Sequence, residues 1–375
     1  MLRIGIECES IEDSQTWGVG RIINQLLENI SKRPELANEF KFFLYFKSNI
    51  PDYKYLDNSI FVKKIVAVPI LPVSFSLYYY LFLPIKTFFD RLDLVFFPNY
   101  MLPILFFGKS VVMLTEDIYY EYTSGKLPLR YRLAYGIFGS WAAKHATKLI
   151  AMSESSKQEL IKIFKVSASR VVVNHLGVNL PGGKKPSVES KKFSVPFILY
   201  VGQAFPRRHL QETILAFKKI APKFRGLNLI AVGKDKYYPP LVKELVIKVN
   251  QSLGKQRIFH FDYVTEDDLS YLYSHCQCLI YISSKEAFGL PPIEGLSRGA
   301  VPIVSDQPVN REIFGDAAFF VIKPNSVEDI AHTIEFALSD HQKRNEIKTQ
   351  ADAIAGKYSW RNFTDNFLKI IKDVK

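Results

Sequence analysis

Short apolar runs alternate with segments of helical periodicity along this chain. The run "LRIGIE" (2–7) is followed by the helical pattern "GRIINQLLENIS" (20–31) and by the run "KFFLYF" (41–46). The same alternation begins again at "FILYVG" (197–202) and continues to "VPIVSD" (301–306). Strands that alternate with helices pair in parallel, because each crossover helix returns the chain to the same end of the sheet. The pattern predicts an α/β fold with two Rossmann-like domains whose parallel sheets face each other across a cleft.

A polar segment separates the two series of strands. Residues 181–192, "PGGKKPSVESKK", offer almost nothing to bury and are typical of a linker. We predict an N-terminal domain over 1–180, a linker over 181–194 and a C-terminal domain over 195–356. The last segment, 357–375, is predicted to form a helix that packs back toward the first domain.

The composition is that of a soluble globular protein, with 48% hydrophobic and 23% charged residues. Its three cysteines are too few for a disulfide framework, and they favour a reducing, cytosolic compartment. The first residues form a predicted strand without a preceding basic segment, so we expect no signal peptide.

The net charge of +12 is unevenly distributed. Between Lys126 and Lys192 the chain has 13 basic residues and only three acidic ones. Such a band suits an acidic lipid surface, a phosphorylated acceptor or nucleic acid. It is equally compatible with a solvated basic surface. No aromatic-basic recognition motif accompanies the band, which disfavours nucleic acid.

Residues 66–85, "VAVPILPVSFSLYYYLFLPI", carry no charge and are long enough to span a bilayer. Three prolines, two serines and a tyrosine cluster argue against a single spanning helix. A strand end, a loop and an amphipathic helix fit the pattern better. That helix either belongs to the core, which we favour, or lies in a lipid interface.

Two glutamates bracket the corner "EAFGLPPIE" between two buried strands, "CLIYIS" and "VPIVSD". Glu286 follows the first strand, and Glu294 lies in the first turn or so of the helix that begins near Pro291. The amides of Phe288, Gly289 and Leu290 precede that helix, whose positive end attracts anions. Each carboxylate can accept two hydrogen bonds from a vicinal diol. Alternatively, Glu294 merely complements the helix dipole and Glu286 is solvated.

A second basic element follows the first strand of the second domain. In "YVGQAFPRRHLQETILAF" (200–217) Arg207 and Arg208 lie just before a helix. Two guanidinium groups beside a helix N-terminus form a strong diphosphate site, each bond contributing about 1.5–3 kcal/mol. The placement at the same sheet edge as the glutamate corner favours a shared site.

Together these segments resemble the retaining family-4 glycosyltransferases, which belong to the GT-B superfamily and to glycosyl transferases group 1. The spacing of Glu286 and Glu294 matches the family's paired-glutamate signature. "YVGQAFPRRHLQETILAF" is similar to its Arg-Lys segment, with Arg208 where lysine is common. In the first domain "GVGR" (18–21) resembles the family's glycine-rich loop, so the resemblance covers nearly the whole chain.

The resemblance implies a role for each matching residue. The catalytic residues would be Arg207, Arg208 and Glu286, and the donor-binding residues Gly18, Gly20, Val264, Phe288, Gly289, Leu290 and Glu294. The arginines would bind the leaving diphosphate of a nucleotide-sugar, Glu286 would contact the donor sugar, and Glu294 would hold the ribose diol. Backbone near Val264 would contact the base.

The acceptor side departs from the family pattern. Many relatives have a His-Asp pair after a strand of the first domain, whereas this chain has Glu116 and Asp117 in "VVMLTEDIYY". Glu116 is still able to accept a hydrogen bond or a proton. An acidic pair at the surface of a strand end is the alternative.

The predicted reaction is transfer of a hexose from a nucleotide-diphospho-sugar, with GDP or UDP as the nucleotide, to a glycan or lipid-linked acceptor. The sequence has no convincing Asp-x-Asp pair, so we expect no cofactor and no metal. The resemblance implies retention of anomeric configuration, and we expect a cytoplasmic enzyme of surface polysaccharide or glycolipid synthesis, with peripheral contact to anionic membrane. A nucleotide-sugar epimerase and an inactive partner subunit remain as alternatives.

Overall fold

The computed structural model describes residues 1–12, 18–66, 74–116, 119–120, 129–178 and 196–374. The chain divides into two compact units. One is formed by Met1–Gly177 with Trp360–Lys375, and the other by Val178–Ser359. The predicted linker, 181–194, lies outside the described residues.

The first unit contains a seven-stranded parallel sheet with the strand order β3-β2-β1-β4-β5-β6-β7. Its strands are β1 (Leu2–Glu7), β2 (Phe40–Phe46), β3 (Phe61–Ile65), β4 (Leu94–Phe97), β5 (Ser110–Met113), β6 (Lys148–Ala151) and β7 (Val171–Val173). Most of their residues are buried, as expected for a parallel sheet that helices cover on both faces.

The helices of the first unit are α1 (Val19–Ser31), α2, α3 (Leu129–His145), α4 (Glu154–Phe164) and α12 (Trp360–Val374). Helix α2 consists of an α-helical turn Phe75–Leu77, a π-helical turn Tyr78–Phe82 and an α-helical segment Leu83–Phe89. Helix α12, at the end of the chain, joins this unit, where Phe367 contacts Phe96 of β4 with ring centroids 4.8 Å apart.

The second unit contains a six-stranded parallel sheet with the order β10-β9-β8-β11-β12-β13. Its strands are β8 (Phe197–Val201), β9 (Asn228–Val232), β10 (Ile258–Phe261), β11 (Leu279–Tyr281), β12 (Pro302–Ser305) and β13 (Phe319–Val321). Its helices are α5 (Leu210–Ile220), α6 (Val242–Ser252), α7 (Glu266–His275), α8 (Leu290–Leu296), α9 (Pro308–Phe314), α10 (Val327–Ser339) and α11 (His341–Lys357). The predicted α/β class with two parallel, Rossmann-like sheets is confirmed.

The strand order reverses direction at β8 in the second sheet, because the chain runs outward to β9 and β10 and then returns to pair β11 with β8. Loops that leave the carboxyl ends of β8 and β11 therefore emerge side by side. Ligands of open α/β sheets bind in the crevice at such a switch point.

The uncharged segment 66–85 lies partly outside the described residues, since 67–73 are not described. Its second half forms most of α2, in which Tyr78, Tyr79 and Leu83 are buried in the core of the first unit. None of the helices in the described ranges combines the length and apolar character that crossing a bilayer requires.

Glu7, the last residue of β1, is fully buried. Its Oε1 accepts hydrogen bonds from the backbone N–H of Glu9 at 2.8 Å and from the Tyr78 hydroxyl at 3.0 Å. Burial is the largest influence on this group, and it raises the pKa of Glu7 from 4.5 to about 7. The nearby charges of Glu9 and Glu12 also disfavour ionisation. The fold therefore accommodates Glu7 best as the neutral acid.

We expect Glu7→Gln to remove a pH dependence of stability. Because the folded-state pKa exceeds the unfolded one, protonated Glu7 stabilises the fold fully below pH 4.5, and this contribution is lost as the pH rises through about 7. Across that interval the wild type should lose about 3 kcal/mol of unfolding free energy relative to the variant. Urea unfolding at a series of pH values measures the difference, and parallel profiles would contradict it.

Candidate functional site

The two segments singled out in the sequence meet at the carboxyl ends of β8 and β11. These strands pair directly, with Leu199 opposite Leu279 and Tyr200 opposite Ile280. After β8 the chain forms the 3₁₀ turn Pro206–Arg208, and the backbone N–H of Ser284, after β11, donates to the carbonyl of Arg207 at 2.8 Å. This bond connects the arginine loop to the glutamate loop.

Arg208 and Glu286 form a two-pronged ion pair. Arg208 Nη2 lies 3.1 Å from Glu286 Oε1, and Arg208 Nε lies 3.3 Å from Oε2. The guanidinium also lies over the ring of Tyr281, 5.2 Å from its centroid. Burial by itself lowers the pKa of Arg208, but the adjacent Glu286 carboxylate outweighs it and the net pKa is raised. Arg208 therefore remains a fixed positive charge at this sheet edge.

Glu286 is not a solvated side chain, since its side chain is only 9% exposed. The alternative in which it lies free in water is excluded by this burial. A carboxylate held by a planar guanidinium has a fixed orientation, because both hydrogen bonds must lie in one plane. The remaining lone pairs of such a carboxylate can accept hydrogen bonds from a bound hydroxyl group.

Gly202 permits this arrangement. It follows β8 with φ +136°, and a Cβ at this position would lie 3.0 Å from Arg208 Nη1 and 3.4 Å from the Tyr281 ring. Any larger residue would press on the guanidinium. The glycine in "YVGQ" is thus explained by the position of Arg208.

Arg207 and His209 flank Arg208 and are both buried. The Arg207 guanidinium lies over the ring of Phe205, 5.1 Å from its centroid. His209 adopts a left-handed conformation at the start of α5, and its Nε2 shares a hydrogen bond with Ser284 Oγ. His209 and Ser284 were not among the predicted site residues. The sequence offers only their nearness to the arginines and to Glu286 as a signal.

The corner between Glu286 and α8 follows the predicted course. Gly289, with φ +88°, is the last residue before α8, which begins at Leu290 and contains Pro291 in its first turn. The side chain of Phe288 is buried and meets the ring of Tyr358 edge-on at 5.4 Å. The Phe288 ring therefore stabilises the loop between Glu286 and α8.

Glu294 is buried within α8, with 3% of its surface exposed. Its Oε2 accepts a hydrogen bond from the Tyr273 hydroxyl of α7 at 3.3 Å. Val264, in the loop between β10 and α7, packs on the same core cluster as Tyr273. The residues predicted for the ribose and for the base thus share one end of the second sheet.

In the first unit the structure places the predicted residues at the start of α1 and directly after β5. Gly18 precedes α1 with φ +52°, and Gly20 is buried in the first turn of that helix. Glu116 follows β5, is 1% exposed and accepts a hydrogen bond from Ser156 in the first turn of α4. The surface alternative therefore does not hold for Glu116. Asp117 lies outside the described residues.

Within the described residues no group of three His, Cys, Asp or Glu side chains is positioned to hold a metal ion. The two adjacent aspartates Asp267 and Asp268 lie in the first turn of α7. The N-cap of this helix is Thr265, whose side-chain oxygen accepts a hydrogen bond from the Asp268 N–H.

The fold is that of solved glycosyltransferase structures. Anabaena Alr3699/HepE in complex with UDP and glucose superimposes with a TM-score of 0.72 at 16% identity, over 100% of both chains. WaaG, a glycosyltransferase involved in lipopolysaccharide biosynthesis, gives a TM-score of 0.72 at 17% identity, over 98% of this chain and 99% of WaaG. The chain therefore has the GT-B architecture.

Residues 184–353 match the family glycosyl transferases group 1, which confirms the resemblance to that group over this part of the chain. The chain is 28% identical over 229 residues to the serotype-specific mannosyltransferase WbdA of Escherichia coli, a match covering 58% of this chain and 28% of WbdA. It is 27% identical over 235 residues to O-antigen chain mannosyltransferase B of Escherichia coli, covering 60% and 61% of the two chains. The matches thus span less than two thirds of these relatives.

Proposed function

We propose that this chain is a glycosyltransferase that moves a hexose from a nucleotide-diphospho-sugar to a glycan or lipid-linked acceptor in surface polysaccharide synthesis. The observation that carries the proposal is the Arg208–Glu286 pair at the carboxyl ends of β8 and β11, inside the range that matches glycosyl transferases group 1. The mannosyltransferase relatives make mannose the first sugar to test. The candidate nucleotides are GDP and UDP, as expected from the sequence.

In the proposed reaction the bond between the anomeric carbon and the diphosphate oxygen breaks, and the acceptor oxygen bonds to the same face of that carbon. The acceptor's proton passes to the departing phosphate, and the configuration is retained. Arg207 and Arg208 neutralise the charge that develops on the diphosphate, as preorganised donors do in other transfer reactions. We propose that this neutralisation needs no metal ion.

The remaining site residues would position the donor. Glu286, oriented by Arg208, accepts hydrogen bonds from the sugar, and Glu294 holds the ribose diol. The amides of Gly289 and Leu290, at the positive end of α8, bind sugar and phosphate oxygens. The Gly18 loop of the first unit would approach the phosphates, and Glu116 would act at the acceptor side.

Thermal shift with a panel of GDP-, UDP- and ADP-sugars in the presence of EDTA tests the proposal. Stabilisation by one nucleotide class is expected for the wild type. Transfer is then tested by mass analysis of glycan acceptors, and a donor that is only epimerised would point to the alternative enzyme. No stabilisation by any nucleotide-sugar would contradict the donor site and favour a partner subunit.

Gly202→Ala is expected to lower kcat about 10- to 100-fold, because the new methyl group displaces the Arg208 guanidinium from its position. Release of nucleoside diphosphate measures the effect. Gly226→Ala is the matched control: Gly226 also has a positive φ, +90°, but a Cβ there would meet nothing within 4 Å. The control should lose stability and keep its turnover, and equal turnover losses in both variants would refute the contact with Arg208.

A further inference from the structure

Helix α2 presents a stripe of apolar side chains to solvent. Leu77, Leu81 and Ile85 recur every four residues and are 49%, 38% and 47% exposed, and the helix ends in Phe88 and Phe89, which are 79% and 74% exposed. The opposite side of the helix is buried in the core. Exposed phenylalanines of this extent are unusual, because a buried aromatic side chain removes about 150–250 Å² from water.

Helix α3 carries a second stripe beside the first. Leu129, Leu133 and Ile137 also recur every four residues, and each side chain is at least half exposed. The two helices are neighbours, since Tyr80 of α2 stacks on Phe138 of α3 with ring centroids 4.8 Å apart. Both pack on one core cluster of the first unit. The two apolar stripes therefore belong to neighbouring helices that pack against the same core of the first unit.

The loop before β5 extends this surface. Phe107 is 91% exposed, and Ile104 and Leu105 are also exposed, whereas Phe106 between them packs on Phe97 at 5.2 Å. Phe89 precedes β4 and Phe107 precedes its neighbour β5, so both lie at the amino edge of adjacent strands. We call the exposed apolar residues of α2, α3 and this loop the apolar layer. Extended exposed apolar surfaces of this kind mark sites of interaction with proteins or membranes.

Helices α2 and α3 carry charges of one sign, although Asp90, which pairs with Lys64, and the exposed Asp93 follow α2. Helices α2 and α3 contain Lys86, Arg130, Arg132 and Lys144, and their sequences contain no aspartate or glutamate. Lys86 and Lys144 are exposed. A second copy of the chain would bring like charges together across a symmetric interface, which disfavours self-association. An anionic lipid surface complements both the charge and the exposed apolar groups.

We propose that the apolar layer docks the first unit onto an anionic bilayer, with α2 and α3 lying in the plane of the interface. Phe88, Phe89 and Phe107 enter the boundary between headgroups and acyl chains, and Lys86 and Lys144 contact the headgroups. This inference relies on the proposed function in one respect: membrane docking would bring the enzyme to a lipid-linked acceptor. Its evidence, exposure and charge, is independent of the donor site.

Co-sedimentation with phosphatidylcholine vesicles, with and without phosphatidylglycerol, tests the docking. Wild-type protein is expected to bind the anionic vesicles, and Phe88→Ser/Phe89→Ser to bind at least about tenfold more weakly. Ile247→Ser/Ile322→Ser is the matched control, because it removes two exposed apolar residues from the second unit. Lys86→Gln should weaken binding roughly fivefold, and only on anionic vesicles.

The outcomes separate this inference from the proposed function. A Phe88→Ser/Phe89→Ser variant that keeps the wild-type thermal shift with nucleotide-sugar but loses vesicle binding supports the docking surface. Equal binding of this variant and the wild type, or no binding by the wild type, overturns the inference and leaves the donor site untouched. A wild-type dimer that the double substitution dissociates, without vesicle binding, would assign the apolar layer to a second copy.

Discussion

Replacing Arg208 by alanine is expected to lower kcat about 10²- to 10³-fold, the loss observed when a preorganised charge-stabilising donor is removed. Arg208 is suited to this role because its guanidinium is fixed on both sides, by Glu286 and by the ring of Tyr281. A donor that is already in place needs no reorganisation when negative charge develops on the leaving diphosphate. The rate of nucleoside diphosphate release at saturating donor measures the effect.

The same substitution also removes one partner of a buried pair. Leaving the Glu286 carboxylate buried without its cation should cost about 3–5 kcal/mol of stability. Turnover must therefore be measured well below the melting temperature of the variant. Arg208→Lys separates the two effects, because lysine keeps the charge but loses the second hydrogen bond. We expect it to retain more activity than Arg208→Ala.

Arg311→Ala is the matched control for Arg208→Ala. Arg311 also forms a two-pronged pair with a carboxylate, Asp306, and lies over an aromatic ring, that of Phe320. It differs in being 44% exposed and in belonging to α9, which follows β12, rather than to the loops after β8 and β11. If Arg311→Ala lowers turnover as much as Arg208→Ala, the loss reflects general weakening of the unit. Near-normal turnover of Arg208→Ala would remove the assigned role altogether.

The sequence predicts at which edge of the second sheet the site lies, because the arginine segment and the glutamate corner each follow a buried strand of one parallel series. Arg208 comes seven residues after β8 ends at Val201, and Glu286 comes five residues after β11 ends at Tyr281. Every parallel strand ends at the same edge, so the two residues had to share it. That β8 and β11 are direct neighbours could not be read from the sequence, because β9 and β10 lie between them along the chain.

The pairing of Arg208 with Glu286 was missed for a related reason. Sequence reasoning gave each residue its own ligand group, the diphosphate and the sugar, whereas the structure shows that they also orient each other. The link between His209 and Ser284 depends on the left-handed backbone of His209 and on a loop far along the chain. Neither feature leaves a local pattern in the sequence.

Helix α2 shows a different limit of sequence reasoning. The sequence predicts an amphipathic helix in this segment, but periodicity does not separate a helix packed on the core from one at a lipid interface. The structure gives it one buried side, with Tyr78 and Tyr79, and one exposed side, with Leu81 and Phe88. Burial of the tyrosines is possible because their hydroxyls donate to Glu7 and to the carbonyl of Met101.

Glu294→Ala is expected to raise the Kd for the nucleotide-sugar about 10- to 100-fold with a smaller change in kcat, because it removes charge-assisted hydrogen bonds worth about 1.5–3 kcal/mol each. Glu294 is held in place by the Tyr273 hydroxyl, and its burial strengthens the bonds that its carboxylate accepts. Titration calorimetry measures the Kd, and Tyr273→Phe, which keeps the carboxylate, controls for disturbance of α7 and α8.

A sharper readout separates ribose binding from a merely structural role of Glu294. The wild type should bind the nucleoside diphosphate more tightly than its 2′-deoxy counterpart, because the deoxy compound lacks one of the two hydroxyls that the carboxylate accepts from. Glu294→Ala should bind both equally, and Tyr273→Phe should keep most of the preference. If Glu294 only complements the dipole of α8, the variant will be less stable but will still discriminate between the two nucleotides, and the ribose assignment must be abandoned.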